Sequence, residues 1–380
     1  MNSKLLQIAL LALSFALPAV TTADGIIEES YHGQMGMGTG TGMAEKWCAL
    51  ANFSFEQEGG VDGWLEHGCG DCHIGAEWNP ERYQADCYLC HDREDVMNVP
   101  VAGCLNCHGV DTAKRGDLFT ASEDVHMAAG MLCQDCHATE EDDWIHHQFA
   151  KGMAIDTTEP TMEGTLSCTS ACHSLAPHSG TRDSWRLNQH VQNVACETCH
   201  TGRRPATALA ARNWTIFDAE GKPATVWREA SWLPEHKWYD ATGVGAAGDF
   251  SLPILGYTER RNAPGARIYP FNAVTVTWFV KTRDSALDDV ITVPEVKAAD
   301  ADGDGTVTLD EMRAVYPEAT LRTEDMNFSI SHSVVPKQAA FSCDDCHGRD
   351  DGVLDWNQLG YAKDPFGHVQ VRVRVNRKGP

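Results

Sequence analysis

The feature of this chain with the clearest chemistry is a repeated combination of two cysteines and a histidine. The spacing Cys-x-x-Cys-His occurs six times, and the longer spacing Cys-x-x-x-Cys-His occurs once. The six copies are Cys69/Cys72/His73, Cys87/Cys90/His91, Cys104/Cys107/His108, Cys133/Cys136/His137, Cys196/Cys199/His200 and Cys343/Cys346/His347, and the longer copy is Cys168/Cys172/His173. Two thiols at this spacing can add to the two vinyl groups of a porphyrin, and the adjacent imidazole then ligates its iron. The sequence therefore predicts seven covalently attached c-type haems.

Zinc knuckles and disulfides are the alternative uses of closely spaced cysteines. Neither explains why a histidine follows every second cysteine directly. The seven motifs also use all but one of the 15 cysteines and leave only Cys48. A disulfide framework is excluded on this count.

A second metal signature lies at residues 300–311. Carboxylates stand at positions 1, 3 and 5 of this stretch, a glycine at position 6 and a glutamate at position 12, which is the pattern of an EF-hand calcium loop. The predicted ligands are Asp300, Asp302, Asp304, Thr306, Thr308 and Glu311. An acidic solvated turn is the alternative. Because only one such loop is present in the sequence, we expect a structural calcium ion between short helices over 293–299 and 309–315, rather than a switch.

The elements that must position these groups are expected to be short helices and long loops. Six motifs fall between residues 69 and 200, and the seventh begins only at Cys343. We therefore expect a signal peptide over 1–23, a haem-rich region over 24–200, an insert over 201–342 and a C-terminal part over 343–380. The predicted fold class is mainly α, wrapped around a haem stack. Small β content is expected at residues 273–280 of the insert and in a terminal strand over 369–375.

The N terminus has the features of a secretory signal. Lys4 precedes an apolar run over residues 5–20, and small residues follow before Asp24. An uncleaved membrane anchor is the alternative, but the run is short for a span and is interrupted by Ser14 and Pro18. A periplasmic or secreted location is predicted, and it agrees with haem attachment outside the inner membrane.

The formal net charge of −24 argues against nucleic acid and anionic membranes as partners. It favours solubility and basic redox partner proteins, such as a small cytochrome or a quinol-linked electron donor.

The ligand at the sixth position of each iron decides whether that haem only transfers electrons or can also bind a substrate. An iron with two histidine ligands has no coordination position left for a substrate. Ten histidines lie outside the motifs and are candidates for this position. They are His32, His67, His126, His146, His147, His178, His190, His236, His332 and His368.

Several stretches between the motifs resemble the octahaem tetrathionate reductase family. The resemblance covers most of residues 45–365, with gaps. The similar stretches are Lys114-Arg-Gly-Asp-Leu-Phe, Asp124-Val-His126-Met, Gly130-Met-Leu-Cys133-Gln-Asp-Cys136-His137, Leu187-Asn-Gln-His190, Ala195-Cys196-Glu-Thr-Cys199-His200, Ile268-Tyr-Pro-Phe271, His332 to Lys337, and Trp47-Cys48. The family's N-terminal haem motif has no counterpart here, and Arg115 stands where the family tends to have histidine.

The resemblance implies ligands and a candidate catalytic site. In that family a lysine replaces the second histidine at the active haem, and Lys114 stands in the matching place; burial would help its amine to lose the proton that blocks iron binding. The haem it would cap is the one on Cys87/Cys90 or a close neighbour. Cys48 would take part in sulfur exchange or be an inert thiol. Family-matched distal histidines are His126, His147, His178, His190 and His332, with His32 as the sixth.

Two functions follow from these features. The first is respiratory electron transfer by a heptahaem cytochrome. The second is reduction of a small oxidised sulfur or nitrogen compound, such as tetrathionate, nitrite or hydroxylamine, at a haem ligated by Lys114. A third possibility is that the chain is a subunit of an extracellular haem polymer, and no sequence feature specifically indicates this function.

Overall fold

The computed structural model of the chain describes residues 99–137, 167–239, 261, 265–281, 291, 293–348 and 352–366. Several sequence predictions lie outside these residues and are not tested by the structure. They are the signal peptide, the motifs Cys69/Cys72/His73 and Cys87/Cys90/His91, the lone Cys48, the distal histidines His32 and His147, and the strand over 369–375. Of the third motif, Cys104 is described, whereas the side chains of Cys107 and His108 are not.

Within the described residues the helices have four to eight residues and the strands five to fourteen. The helices are α1 (Val101–His108), α2 (Val110–Arg115), α3 (Val125–Ala128), α4 (Cys133–Cys136), α5 (Cys168–Ala171), α6 (Ser184–His190), α7 (Cys196–His200), α8 (Val293–Ala298), α9 (Leu309–Val315) and α10 (Cys343–Cys346). The strands are β1 (Ala208–Phe217), β2 (Pro223–Arg228), β3 (Glu235–Tyr239), β4 (Arg267–Val280) and β5 (Thr320–Ser329). None of these helices is long and apolar enough to cross a membrane.

The five strands form one mixed sheet around β4. This strand pairs in parallel with β1 and antiparallel with β3 and β5, and β2 pairs with the outer edge of β1. Almost all of its residues are buried, which is typical of a strand covered on both faces. The strand predicted over 273–280 is confirmed and extends back to Arg267.

The prediction of a mainly α fold was wrong. Helix and strand occupy similar shares of the described residues, and the sheet joins strands from across residues 208–329. The physical reason lies in the local patterns of β1, β2 and β3. Burial does not alternate along β1, the apolar residues Val226 and Trp227 of β2 are exposed, and one buried position of β3 is His236, so the three sequences have no clear hydrophobic period of two. Pairing stabilises the strands instead, since β1 and β3 pair with the apolar strand β4 and β2 pairs with β1.

Four of the haem motifs begin a helix at their first cysteine, namely at Cys133, Cys168, Cys196 and Cys343. One helical turn places side chains three or four residues apart on the same face. The two thiols of each motif can therefore face one porphyrin edge. Carboxylates accept hydrogen bonds at the first turns of two of these helices, from the Leu132 N–H to Asp135 at α4 and from the Ser342 N–H to Asp345 at α10.

The sheet positions the last two motifs. Helix α7 is tied to the start of β4, because the Thr198 hydroxyl donates to the Ile268 carbonyl at 2.6 Å and the Ala195 N–H donates to the same carbonyl at 3.0 Å. The segment around α10 also packs in this region, where Cys346, Trp238 and Leu359 share an apolar cluster with Ile268. Both motifs therefore sit against the N-terminal half of β4.

Candidate haem-binding sites

Four pairs of histidine rings face each other at almost the same separation. The distances between ring centroids are 6.3 Å for His126 and His173, 6.1 Å for His137 and His332, 6.3 Å for His178 and His200, and 6.2 Å for His190 and His347. A bond from a metal to an imidazole nitrogen is about 2.0 Å, and the centroid lies about 1.1 Å behind that nitrogen, so two axial imidazoles on one metal have centroids roughly 6 Å apart. The recurring separation is the one that an iron between the rings requires.

Each facing pair combines one motif histidine with one histidine from outside the motifs. The structure thereby brings four of the six predicted distal histidines next to motif histidines. His126 faces the motif at Cys168, His332 the motif at Cys133, His178 the motif at Cys196, and His190 the motif at Cys343. Their ligation of iron stays a prediction.

Two predicted attachment sites are not placed by the structure. All six ligand residues of these motifs lie outside the described part of the chain, and so do His32 and His147. The residues concerned are Cys69, Cys72 and His73 of the first motif and Cys87, Cys90 and His91 of the second. Haem attachment at both motifs rests on their sequence pattern alone and stays a prediction.

The two thiols of the longer motif have different surroundings. Cys168 is half-buried, whereas Cys172 is exposed. Burial, with Cys172 nearby, raises the pKa of Cys136 in another motif. The Cys172 thiol therefore lies near Cys136 of the neighbouring motif. A thioether bond at Cys172 stays a prediction, and it would lie at the surface of the described residues.

The electrostatics of two histidine rings favour the neutral imidazole, which is the form that binds a metal. Partial desolvation and the neighbouring rings of His347 and His178 lower the pKa of His190. Burial and the nearby rings of His178 and His173 likewise lower the pKa of His200. Neither site needs to expel a proton from these rings before iron binds near neutral pH.

The cysteines are available for covalent attachment. None of the nine cysteines whose side chains the structure describes forms a disulfide. Among the described residues, the only group of three or more His, Cys, Asp or Glu side chains close enough to share a metal ion is made of aspartates. The cysteines and the four facing histidine pairs fit haem attachment at these motifs.

Thiols of neighbouring motifs also lie next to each other. The side chains of Cys168 and Cys196 are hydrogen bonded, and this contact raises the pKa of Cys168 well above its usual value. Burial, with Cys196 and Cys343 nearby, raises the pKa of Cys199 to about 11. The motifs at Cys168, Cys196 and Cys343 would therefore attach their haems at neighbouring positions.

Hydrogen bonds from the second ring nitrogen orient two of the histidines. Asp364 accepts from Nδ1 of His347, with 2.7 Å between Nδ1 and Oδ1. Asn188 lies 3.1 Å from Nδ1 of His178 through its Oδ1 atom. With Nδ1 engaged in this way, Nε2 of each ring is left to face the partner ring.

The segment that carries Lys114 is fixed by buried contacts. Arg204 is fully buried and forms an ion pair with the fully buried Asp117. The same guanidinium donates to the carbonyls of Arg115 at 3.2 Å, Thr201 at 2.9 Å and His332 at 3.2 Å. This cluster joins the end of α2 to α7 and to the His332 segment.

Lys114 itself lies in the last turn of α2, directly after the third haem motif. Its backbone carbonyl accepts a hydrogen bond from the buried amide of Asn272 on β4, at 2.8 Å. Gly116 follows with φ of 68°, where a Cβ would lie 2.9 Å from Trp232. The chain can make this turn only with glycine. Lys114 is predicted to cap the haem on Cys87/Cys90 or a close neighbour, and the motif at Cys87 lies outside the described residues.

The predicted calcium loop brings three carboxylates together. Oxygens of Asp300, Asp302 and Asp304 lie within 4.8 Å of one another. Glu311 closes the loop, because its carboxylate accepts from the N–H groups of Ala301 at 3.1 Å and Thr308 at 2.8 Å. The flanking helices predicted over 293–299 and 309–315 are confirmed as α8 and α9, with α8 ending at Ala298.

Sequence reasoning missed the groups that hold the histidines. Asp117 and Asn188 lie within stretches that carry the family resemblance, which is the only sequence signal that singled them out. Asp364 belongs to no such stretch, and its role becomes visible only when the chain is folded. His236 is one of the ten candidate histidines but is not among the six predicted distal ligands. It is buried on β3, and burial lowers its pKa to about 4.

Comparison with known proteins agrees with this architecture at the level of the fold. No protein-family model and no curated protein matches the chain. Its structure is similar to the crystal structure of octaheme cytochrome c from Shewanella oneidensis, with a TM-score of 0.58 and 23% sequence identity over 93% of this chain and 97% of that chain. The chain thus has the fold of a multihaem c-type cytochrome.

Proposed function

We propose that this chain is a periplasmic or secreted cytochrome that carries seven covalently bound haems and transfers electrons in respiration. The observation that carries this proposal is the set of four facing histidine pairs, with ring centroids 6.1 to 6.3 Å apart. When bound, haem supplies one-electron chemistry at its iron. Each histidine pair would occupy both axial positions, so these four sites suit electron transfer rather than substrate binding.

The arrangement of the thiols supports passage of electrons between the sites. Cys196 contacts Cys168, and Cys199 lies close to Cys343 and Cys346. Neighbouring thioether edges would keep successive porphyrins close. The net charge of −24 supports a basic redox partner.

Electron paramagnetic resonance of the oxidised holoprotein tests the proposal. We expect at least four low-spin ferric signals with bis-histidine character and reversible reduction by a dye. A protein that binds zinc at these motifs, or whose signals are mostly high-spin, would refute it.

Reductase activity at a haem capped by Lys114 is a second candidate function. The observation that favours it is the rigid setting of this residue, whose carbonyl is held by Asn272 and whose following turn requires Gly116. A lysine on a fixed backbone can be presented to an iron at a defined distance. The substrate would be a small anion or amine such as tetrathionate, nitrite or hydroxylamine, with Cys48 as a further candidate participant.

Replacing Lys114 with alanine is expected to change one haem only. Loss of the amine ligand should produce one new high-spin or re-ligated signal in electron paramagnetic resonance, and turnover of the tested substrate should change at least about tenfold. Lys222→Ala, an exposed lysine beyond β1, is the matched control and should leave both unchanged. If Lys114→Ala keeps the wild-type spectrum, Lys114 is not a ligand and the reductase proposal fails.

We also propose that residues 300–311 bind a structural Ca²⁺ ion. Asp300, Asp302, Asp304 and Glu311 would supply carboxylate oxygens, Thr306 its carbonyl and Thr308 a water-mediated contact. The loop is joined to β1, since the Phe217 N–H donates to the Gly305 carbonyl at 2.8 Å. A bound ion would therefore stabilise the attachment of α8 and α9 to the sheet.

Calcium should raise the stability of the wild-type protein but not that of Asp302→Asn. At a calcium concentration about 100-fold above Kd, a single site adds about 2.7 kcal/mol to the free energy of unfolding. Asp302 is the residue to change because its carboxylate, unlike that of Glu311, does not cap α9. Glu318→Gln removes an exposed charge nearby and should keep the calcium response. A wild-type melting temperature that is the same in calcium and in chelator would show that the loop is only an acidic turn.

A further inference from the structure

Hydrogen-bond partners of the axial histidines differ between two neighbouring haem sites. At the site of Cys343/Cys346, Nδ1 of His347 lies 2.7 Å from the carboxylate of Asp364. At the site of Cys196/Cys199, Nδ1 of His178 lies 3.1 Å from the amide oxygen of Asn188. The first acceptor is charged and the second is neutral.

Two backbone N–H groups fix the carboxylate of Asp364 beside the ring of His347. Its Oδ2 accepts from the Gly348 N–H at 2.6 Å, and its Oδ1 also accepts from the Phe366 N–H at 2.9 Å. The ring of His347 is fixed by Trp356, which stacks on it at a centroid distance of 5.1 Å. Contacts within the protein therefore fix the positions of both the carboxylate and the ring.

The amide of Asn188 is also oriented by its contacts. Its Nδ2 donates to the His178 carbonyl at 2.9 Å, and its Oδ1 accepts from the His178 N–H at 3.0 Å. The oxygen thus faces Nδ1, which acts as the donor. On the other side of this site, the backbone of Val335 provides a neutral partner for His200.

Two other described carboxylates near axial histidines are further away and are engaged elsewhere. Asp124 lies 3.4 Å from Nδ1 of His126 but accepts from the N–H groups of its own helix and of Val334. Asp117 lies 3.7 Å from Nδ1 of His332 and is paired with Arg204. The contact between Asp364 and His347 is the shortest of these three contacts between a carboxylate and an imidazole.

We propose that Asp364 is a positioning residue that gives the haem site at Cys343/Cys346 a lower reduction potential than its neighbour at Cys196/Cys199. A carboxylate that accepts the ring proton makes the imidazole a stronger donor, and a stronger donor stabilises the ferric state. The two sites adjoin through Cys199 and Cys343. Electron transfer from the haem site at Cys343/Cys346 to the haem site at Cys196/Cys199 is therefore energetically favourable. This inference rests on the proposed electron-transfer function.

A redox titration of the holoprotein followed by electron paramagnetic resonance tests the proposal. In Asp364→Asn the ferric-to-ferrous ratio of one haem at a fixed potential should fall about tenfold, equal to an upward shift of about 59 mV for one electron. Asp355→Asn is the control, because Asp355 is an exposed residue in the same segment whose carboxylate accepts from the N–H groups of Asn357 and Gln358 in its own turn. It should titrate as wild type.

The wild-type protein provides a second readout that needs no variant. Its bis-histidine signal with the strongest axial ligand field should titrate at a lower potential than at least one other bis-histidine haem. If the haems are present and Asp364→Asn titrates as wild type, or if the signal with the strongest axial ligand field has the highest potential, the inference is overturned while the electron-transfer function stands. Absence of bis-histidine signals altogether would instead refute the proposed function.

Discussion

Asp117→Asn is expected to lower the free energy of unfolding by about 3–5 kcal/mol, the usual cost of removing one partner of a buried ion pair. Asp117 and Arg204 are both fully buried, so the guanidinium would keep its charge without a compensating carboxylate. Its other acceptors are backbone carbonyls, which carry only partial charge. Thermal or denaturant unfolding of the holoprotein measures the effect.

The same substitution on the surface of the sheet is the control for this effect. Asp325 on β5 is exposed and accepts a hydrogen bond from Thr275 at 2.8 Å. Asp325→Asn should change the free energy of unfolding by no more than about 0.5 kcal/mol. Equal effects of the two changes would show that the buried pair does not anchor the segments that carry Lys114 and His332.

His190→Ala is expected to convert one low-spin haem to a high-spin form. The ring of His190 faces that of His347 at 6.2 Å, so its removal should open one axial position of the site at Cys343/Cys346. The new signal should appear in electron paramagnetic resonance, and the opened site should bind an added ligand such as cyanide. The other low-spin signals should persist.

Gln189→Ala changes the exposed neighbour on the same helix and should leave the spectrum intact. A His190→Ala protein with the full set of low-spin signals would contradict the pairing of His190 with His347. Replacement by a nearby ligand would be visible as a low-spin signal with altered anisotropy and would still place His190 on the iron.

The haem motifs could be predicted from sequence because their chemistry is local. A porphyrin edge fixes the spacing of Cys196 and Cys199, and the axial bond fixes His200 next to them. The helices α8 and α9 were predictable for a similar reason, since an EF-hand pattern specifies its flanks. The positions of these elements against the sheet follow no such local rule. Nor does the exposure of Cys172, which depends on the segments packed around the longer motif.

The pairing of distal histidines could not be predicted, because it depends on how distant segments fold together. His332 reaches the motif at His137 across almost 200 residues of chain, and buried contacts of Arg204 bring that segment into place. The sheet was underestimated for a related reason. Strands β1 and β3 depend on pairing with β4, β2 depends on pairing with β1, and their own sequences mix aromatic and charged residues.

The mass of the intact holoprotein tests the central claim most directly. Seven complete attachment motifs predict a polypeptide heavier by seven haems, with the haem retained under denaturing conditions because thioether bonds hold it. A mass with six haems would mean that the longer motif at Cys168 is not used, and one with eight would mean that Cys48 also holds a haem. A mass equal to the polypeptide alone, or to the polypeptide with zinc, would contradict the account.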